Sequence, residues 1–264
     1  SCLSSYIGIV LYDFIIEQQD KKYLKNTFGA YISPDLIDQM YEDKQEPKLG
    51  GQAGYHTAFF SDIQSFSSFS EILEPEKMVS LMNEYLTEMT SILLNHNGTL
   101  DKYIGDAIVA FYGAPVALEN HECHACMTAL EMDRKLNELR VKWKSEGGWP
   151  KLVHNVRHRV GLNSGEMVTG NMGSSMRMNY TMMGDTVNLA ARLEPAAKQY
   201  GVYTFVAENT YKVVKDQFEC RLLDFIRVKG KNKPVKVYEL FSEKNNLVNN
   251  QSDLINAFNN GLDL

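Results

Sequence analysis

The sequence predicts an α+β fold built on a split βαβ sheet, in the order strand, helix, strand, strand, helix, strand, with helices on one face and further strands after it. Three observations predict it. Two long segments carry apolar residues at helical spacing. Between them, two short β-rich runs flank a tight turn. Shorter strand and helix signals then alternate to the end of the domain.

The first strand is HTAFFSDI, residues 56–63, ending in polar residues. Residues 76–94 follow, with Met78, Val79, Met82, Leu86, Met89 and Leu93 on one helical face. Asn97-Gly98 stops that helix. TLDKYIGDAIVAFYG reads as two strands about a turn at Gly105-Asp106. A second long helix spans residues 121–145, and Gly147-Gly148 ends it. RHRVGLNSGEMVTG is a strand or a bent hairpin, and a short strand at 180–183 leads into a helix over 186–199. A strand at 203–206, a short helix at 208–214 and two strands around GKNKP complete the domain at 243.

The domain so read occupies residues 55–243 of 264. Before it lie an N-terminal helix over 1–28 and a connector over 29–54, in which Ser33 caps and Pro34 opens a new helical turn. After it comes an Asn-rich tail, 244–264.

Hydrophobic residues make up 44% and charged residues 23%, so a sizeable core needs no disulfide or metal staple. The net charge of −6 argues against a nucleic-acid surface, which needs a basic stripe, but leaves room for a small anionic ligand on local Lys and Arg. Four cysteines are too few for a disulfide scaffold and point to an intracellular, cytoplasmic domain. Residues 2–16, CLSSYIGIVLYDFII, fall short of a membrane span. With Lys21, Lys22 and Lys25 behind them, they read as the cytoplasmic end of a membrane helix that begins before residue 1, or else as a buried or dimerising helix.

Asp62 closes the first strand and Asp106 sits in the turn between the next two. In a split βαβ sheet the first and third strands are neighbours, so these carboxylates can face one another. Such a pair suits Mg²⁺. Spacing alone favours a capping Asp62 and an ordinary turn residue at 106. His121, Cys123, His124 and Cys126 mimic zinc ligands, but they share one helix and no second Cys/His pair follows, so packed thiols are expected.

The motifs FFSDIQSFSSFS, DKYIGDAIVAFYGAP and NYTMMGDTVNLAARLE, followed by VKGK, together resemble the class III nucleotidyl cyclase catalytic domain over about residues 28 to 243. FGAYISPDLIDQM resembles the segment preceding that domain in membrane-attached bacterial cyclases. The resemblance implies a ferredoxin-like sandwich and an adenylyl cyclase, forming 3′,5′-cyclic AMP and pyrophosphate from ATP with two Mg²⁺ or Mn²⁺. Asp62, Asp106 and the carbonyl of Ile63 match the metal ligands. Lys102 and Thr181 match the base readers, with Thr where many members have Asp. Asn188 matches the ribose-orienting residue, Arg192 the one that stabilises charge on the α-phosphate, and Lys229 the lysine on the terminal phosphates; the resemblance also allows Arg177, four before Thr181, a phosphate contact. Taken singly, Lys102, Asn188 and Arg192 also read as solvated surface residues.

In the family one subunit gives the aspartates and its partner the remaining residues. Both sets stand in this chain, so a homodimer with two shared sites is expected. A guanylyl cyclase would resemble Glu and Cys at positions 102 and 181. A diguanylate cyclase would carry GGDEF where YIGDA stands. A degenerate nucleotide-binding module would have lost an aspartate or the Asn/Arg pair.

Overall fold

The computed structural model describes residues 48–226 and 234–247, with residues 12, 18, 19, 22, 23 and 37. The rest of the expected 1–28 helix and of the connector before 48, the tail beyond 247, and Lys229 lie outside the described residues. The chain divides into two units, 1–50 and 51–264, and the sheet belongs to the second. Among the described residues no helix is long and apolar enough to cross a membrane.

Strand β1 (Gly50–Ile63) leads through a short helix α1 (Phe66–Ser70) into α2 (Pro75–Asn95). Strands β2 (Thr99–Ile104) and β3 (Ala107–Tyr112) form the expected hairpin, and α3 (His121–Glu146) returns the chain to β4 (His158–Ser174). Then follow β5 (Arg177–Met183), α4 (Asp185–Tyr200), β6 (Thr204–Ala207), α5 (Glu208–Val214), β7 (Phe218–Ile226) and β8 (Val235–Glu243). The sheet order is β2-β3-β1-β4-β6-β8-β7, with β5 paired to β4. Its first four members are the split βαβ order that the sequence implies.

Alternation along the central strands assigns the two faces. Phe59, Ile108, Ala110, Tyr112, Val160, Leu162 and Val206 point into the core shared with α2 and α3. Ala58, Val109 and Phe111 point the other way, onto Val187 and Ala190 of α4. The two core helices thus share one face as expected, while α4 covers the opposite one. The strand pattern does not reveal this, because strands apolar on both faces show no polar side. Gly161 explains how closely α4 lies on β4. A β-carbon there would stand 2.6 Å from the Ala190 carbonyl oxygen and 2.7 Å from the Glu194 amide nitrogen.

Two strands start earlier than expected, β1 at Gly50 rather than His56 and β5 at Arg177 rather than Tyr180. Of the two readings of RHRVGLNSGEMVTG the strand holds: from His158 onward it lies in β4, whose far half pairs with β5 from Val168–Met183 to Ser174–Arg177. On α2, Met89 and Leu93 of the expected face are buried and Met78, Met82 and Leu86 pack against the core, while Val79 is exposed and Leu81, Tyr85 and Ile92 are buried beside them. Tyr85 is an anchor of this core. Its ring is buried and its hydroxyl lies 3.4 Å from Nδ1 of His158.

Gly161→Ala is expected to destabilise the domain by roughly 1–3 kcal/mol, since a rigid helix backbone has to shift. A lowered urea midpoint at unchanged m-value is the measurement.

Candidate active site

Two separate groups of side chains carry chemistry. The first lies where β1 ends. β1 and β3 are antiparallel neighbours, with Ser61 opposite Ile108. This places Asp62 beside the β2–β3 turn, which Gly105 makes with φ +65°. Asp106 Oδ2 accepts a hydrogen bond from the Ile63 amide at 3.0 Å. Burial pushes the Asp106 carboxyl up to about 7, and its bond to Asp62 and that residue's charge push the same way.

Both carboxylates line an open pocket of about 410 Å³ with Ile63, Ser65, Arg159 and Lys198. Arg159, at the start of β4, is a residue the sequence reading passed over. It is buried, with Nη2 3.6 Å from Asp62 Oδ2 and Nε 2.7 Å from Glu194 Oε1. The only signal for it was an arginine just ahead of an apolar run. Two carboxylates and a nearby backbone carbonyl form a hard oxygen set of the kind that suits Mg²⁺ or Mn²⁺. A divalent cation there would offset both the burial and the neighbouring Asp62 that raise the proton affinity of Asp106.

The second group is built by β2, β5 and α4. Lys102 Nζ donates to Thr181 Oγ1 at 3.3 Å, so the two expected base readers do meet. Asp101, also passed over, joins them. It accepts a hydrogen bond from the Thr181 hydroxyl and lies 3.0 Å from Lys102 Nζ. Asn188 and Arg192 stand four residues apart on α4, outside its buried set of Val187, Leu189, Ala190, Leu193, Glu194 and Ala197. Asn188 is exposed and Arg192 half-buried. Arg177 is exposed at the tip of the β4–β5 hairpin. None of these residues lines the pocket that holds the aspartates.

The cysteine and histidine cluster on α3 packs. Cys126 is fully buried, and burial pushes its thiol well above the usual range. His121 Nδ1 is hydrogen-bonded to Thr57 Oγ1 at 2.7 Å.

Residues 52–242 match the family described as the adenylate and guanylate cyclase catalytic domain. Adenylate cyclase 1 of Rhizobium meliloti is 32% identical over 217 residues, which cover 81% of this chain and 31% of that protein. The adenylate cyclase of Anabaena cylindrica is 30% identical, covering 83% of this chain and 42% of that one. This chain thus spans about a third to two-fifths of those relatives. Among solved structures, the adenylyl cyclase CyaB from P. aeruginosa superimposes with a TM-score of 0.68 at 34% identity, covering 76% of this chain and all of that one. The guanylyl cyclase Cya2 gives 0.65 at 29% identity, covering 75% and 97%. Fold and motifs agree with these matches: the chain belongs to the adenylate and guanylate cyclase catalytic domain family, the class III nucleotidyl cyclases.

The carboxylate pair makes stability depend on pH. Without divalent metal, folded protein keeps the Asp106 proton to about pH 7, whereas an unfolded aspartate releases it near pH ~4. The folded state binds more protons in that window, so stability falls as pH rises through it. Asp106→Asn is expected to flatten this slope and raise the melting temperature of chelator-treated protein above pH 7. Thermal melts across pH, with and without chelator, check it. Metal-induced stabilisation of the unmodified protein is expected to weaken below pH 7, where protons compete for the site.

Proposed function

We propose that this chain is the catalytic domain of an adenylyl cyclase, converting ATP to 3′,5′-cyclic AMP and pyrophosphate at sites shared between two copies of the chain. The contact between Lys102 and Thr181 carries the reading. Lys102 donates to adenine N1, where guanine has a hydrogen, and Thr181 accepts from the exocyclic amine. Guanine would leave both groups unpaired, at about 1–3 kcal/mol for each. The relatives named adenylate cyclases support the same assignment.

Asp62, Asp106 and the Ile63 carbonyl would hold the metal. Two Mg²⁺ or Mn²⁺ ions, when bound there, lower the pKa of the ribose 3′-hydroxyl and offset triphosphate charge. Asn188 orients the ribose. The 3′-oxygen attacks the α-phosphorus in line, the bond to the bridging oxygen of the β-phosphate breaks, and pyrophosphate leaves. The hydroxyl proton passes to solvent or substrate phosphate. Arg192 stabilises the charge that builds on the α-phosphate, usually the largest catalytic contribution. Lys229 and Arg177 are assigned to the phosphates. Arg159, 3.6 Å from Asp62, holds that carboxylate in place.

The placement of these groups supports a dimer. Asn188 is exposed and stands, with Arg192, outside the buried set of α4, and the aspartate pocket is lined by neither. A second copy related by a two-fold axis supplies the missing half to each pocket.

Product analysis with ATP and GTP, each with Mg²⁺ or Mn²⁺ and at several protein concentrations, is the direct test. Cyclic AMP is expected, with specific activity rising as dimers form. Cyclic GMP as the main product would overturn the assignment. Asp106→Ala and Asn188→Ala proteins are each expected to be inactive, and their equal mixture to regain about a quarter of wild-type activity through heterodimers with one intact site. Lys102→Glu with Thr181→Cys is expected to raise GTP use relative to ATP; an unchanged preference would refute the base-reader roles.

A further inference from the structure

Consecutive residues of a strand point to opposite faces, so Asp101 and Lys102 should not both reach one partner. Here they do. The β2–β3 register shifts between Leu100 and Lys102, a bulge at Asp101. A bulge of this kind re-aims a side chain. Asp101 is thereby brought against Thr181 on β5, with its side chain 2% exposed beside a Lys102 that is 40% exposed.

The direction of the hydrogen bonds then matters. A threonine hydroxyl has one proton, and that of Thr181 goes to Asp101 Oδ2. A carboxylate can only accept, so the proton cannot turn elsewhere while Asp101 is ionised. Lys102 Nζ donates to Thr181 Oγ1 at 3.3 Å and is ion-paired with Asp101 Oδ1 at 3.0 Å, which holds the ammonium beside the hydroxyl with protons to spare. The pair therefore offers a purine one lone pair from Thr181 and a proton from Lys102. Adenine presents the complement, an amine at C6 and an acceptor at N1. Guanine presents the reverse at both positions.

We propose that Asp101 is a specificity-determining positioning residue: by holding the Thr181 proton it makes that hydroxyl an acceptor towards the base, and so excludes guanine. The inference rests on the adenylyl cyclase reading. Without Asp101 the hydroxyl rotates freely and can donate to a C6 oxygen.

The test compares kcat/KM for ATP and GTP in wild-type protein and in Asp101→Asn. Wild-type protein that forms no cyclic AMP from ATP would overturn the adenylyl cyclase reading itself. Given that activity, Asp101→Asn is expected to lower the ATP/GTP ratio about tenfold, the scale of one unpaired buried hydrogen-bonding group. In a Thr181→Val background, the same change is expected to leave the ratio where it was. A proportional loss with both nucleotides would mean that Asp101 only supports the fold, and would overturn the proposal while the activity stood. Should Asp101→Asn not fold, wild-type protein decides with two analogues that keep N1 as an acceptor. The 6-methoxypurine nucleotide, with an oxygen at C6, is expected to be used about tenfold less well than the nucleotide of unsubstituted purine. Equal use of the two would refute an acceptor-only Thr181.

Discussion

The antiparallel pairing of β1 with β3 is the constraint on which the site depends. It carries two carboxylates, from residues 44 positions apart in sequence (106 − 62), to adjacent strand ends. Burying a carboxylate beside a second one is unfavourable, and the raised proton affinity of Asp106 records that cost, from burial first and from Asp62 after it. The surrounding fold sustains the arrangement. Large side chains of α2 and α3 fill the core beneath the strands, the Ile63 amide donates to Asp106, and Arg159 faces Asp62. Two carboxylates gathered at one open pocket are an arrangement a cation would stabilise, in keeping with the two-metal chemistry proposed for it.

Arg159 also ties the two halves of the molecule's chemistry together. Its guanidinium bridges Asp62 on β1 and Glu194 on the buried face of α4, the helix whose outer face carries Asn188 and Arg192. In the proposed dimer those two helix residues serve the neighbouring site, while Asp62 serves its own. One buried ion-pair network thus spans elements that belong to different active sites.

The two long helices and the hairpin were legible in the sequence because periodicity and turn residues are local signals, and their order implied the split βαβ core but not where the later strands add to the sheet. The aspartates, Lys102, Thr181, Asn188 and Arg192 were legible through motif resemblance, not through their own chemistry. Arg159 and Asp101 were missed because their significance lies in partners far along the chain. An arginine ahead of an apolar run looks like any strand end until Glu194 is opposite it. An aspartate next to a lysine looks like a local ion pair until a bulge turns it onto Thr181.

By itself the sequence determined the elements, their order and the family, since each is encoded in short-range pattern. Tertiary structure alone decided which face α4 covers, where the β2 bulge falls and which hydroxyl holds its proton toward which carboxylate. The physical reason is the same in each case. A strand apolar on both sides gives no preference for the face a later helix takes, and hydrogen-bond direction exists only once donor and acceptor meet.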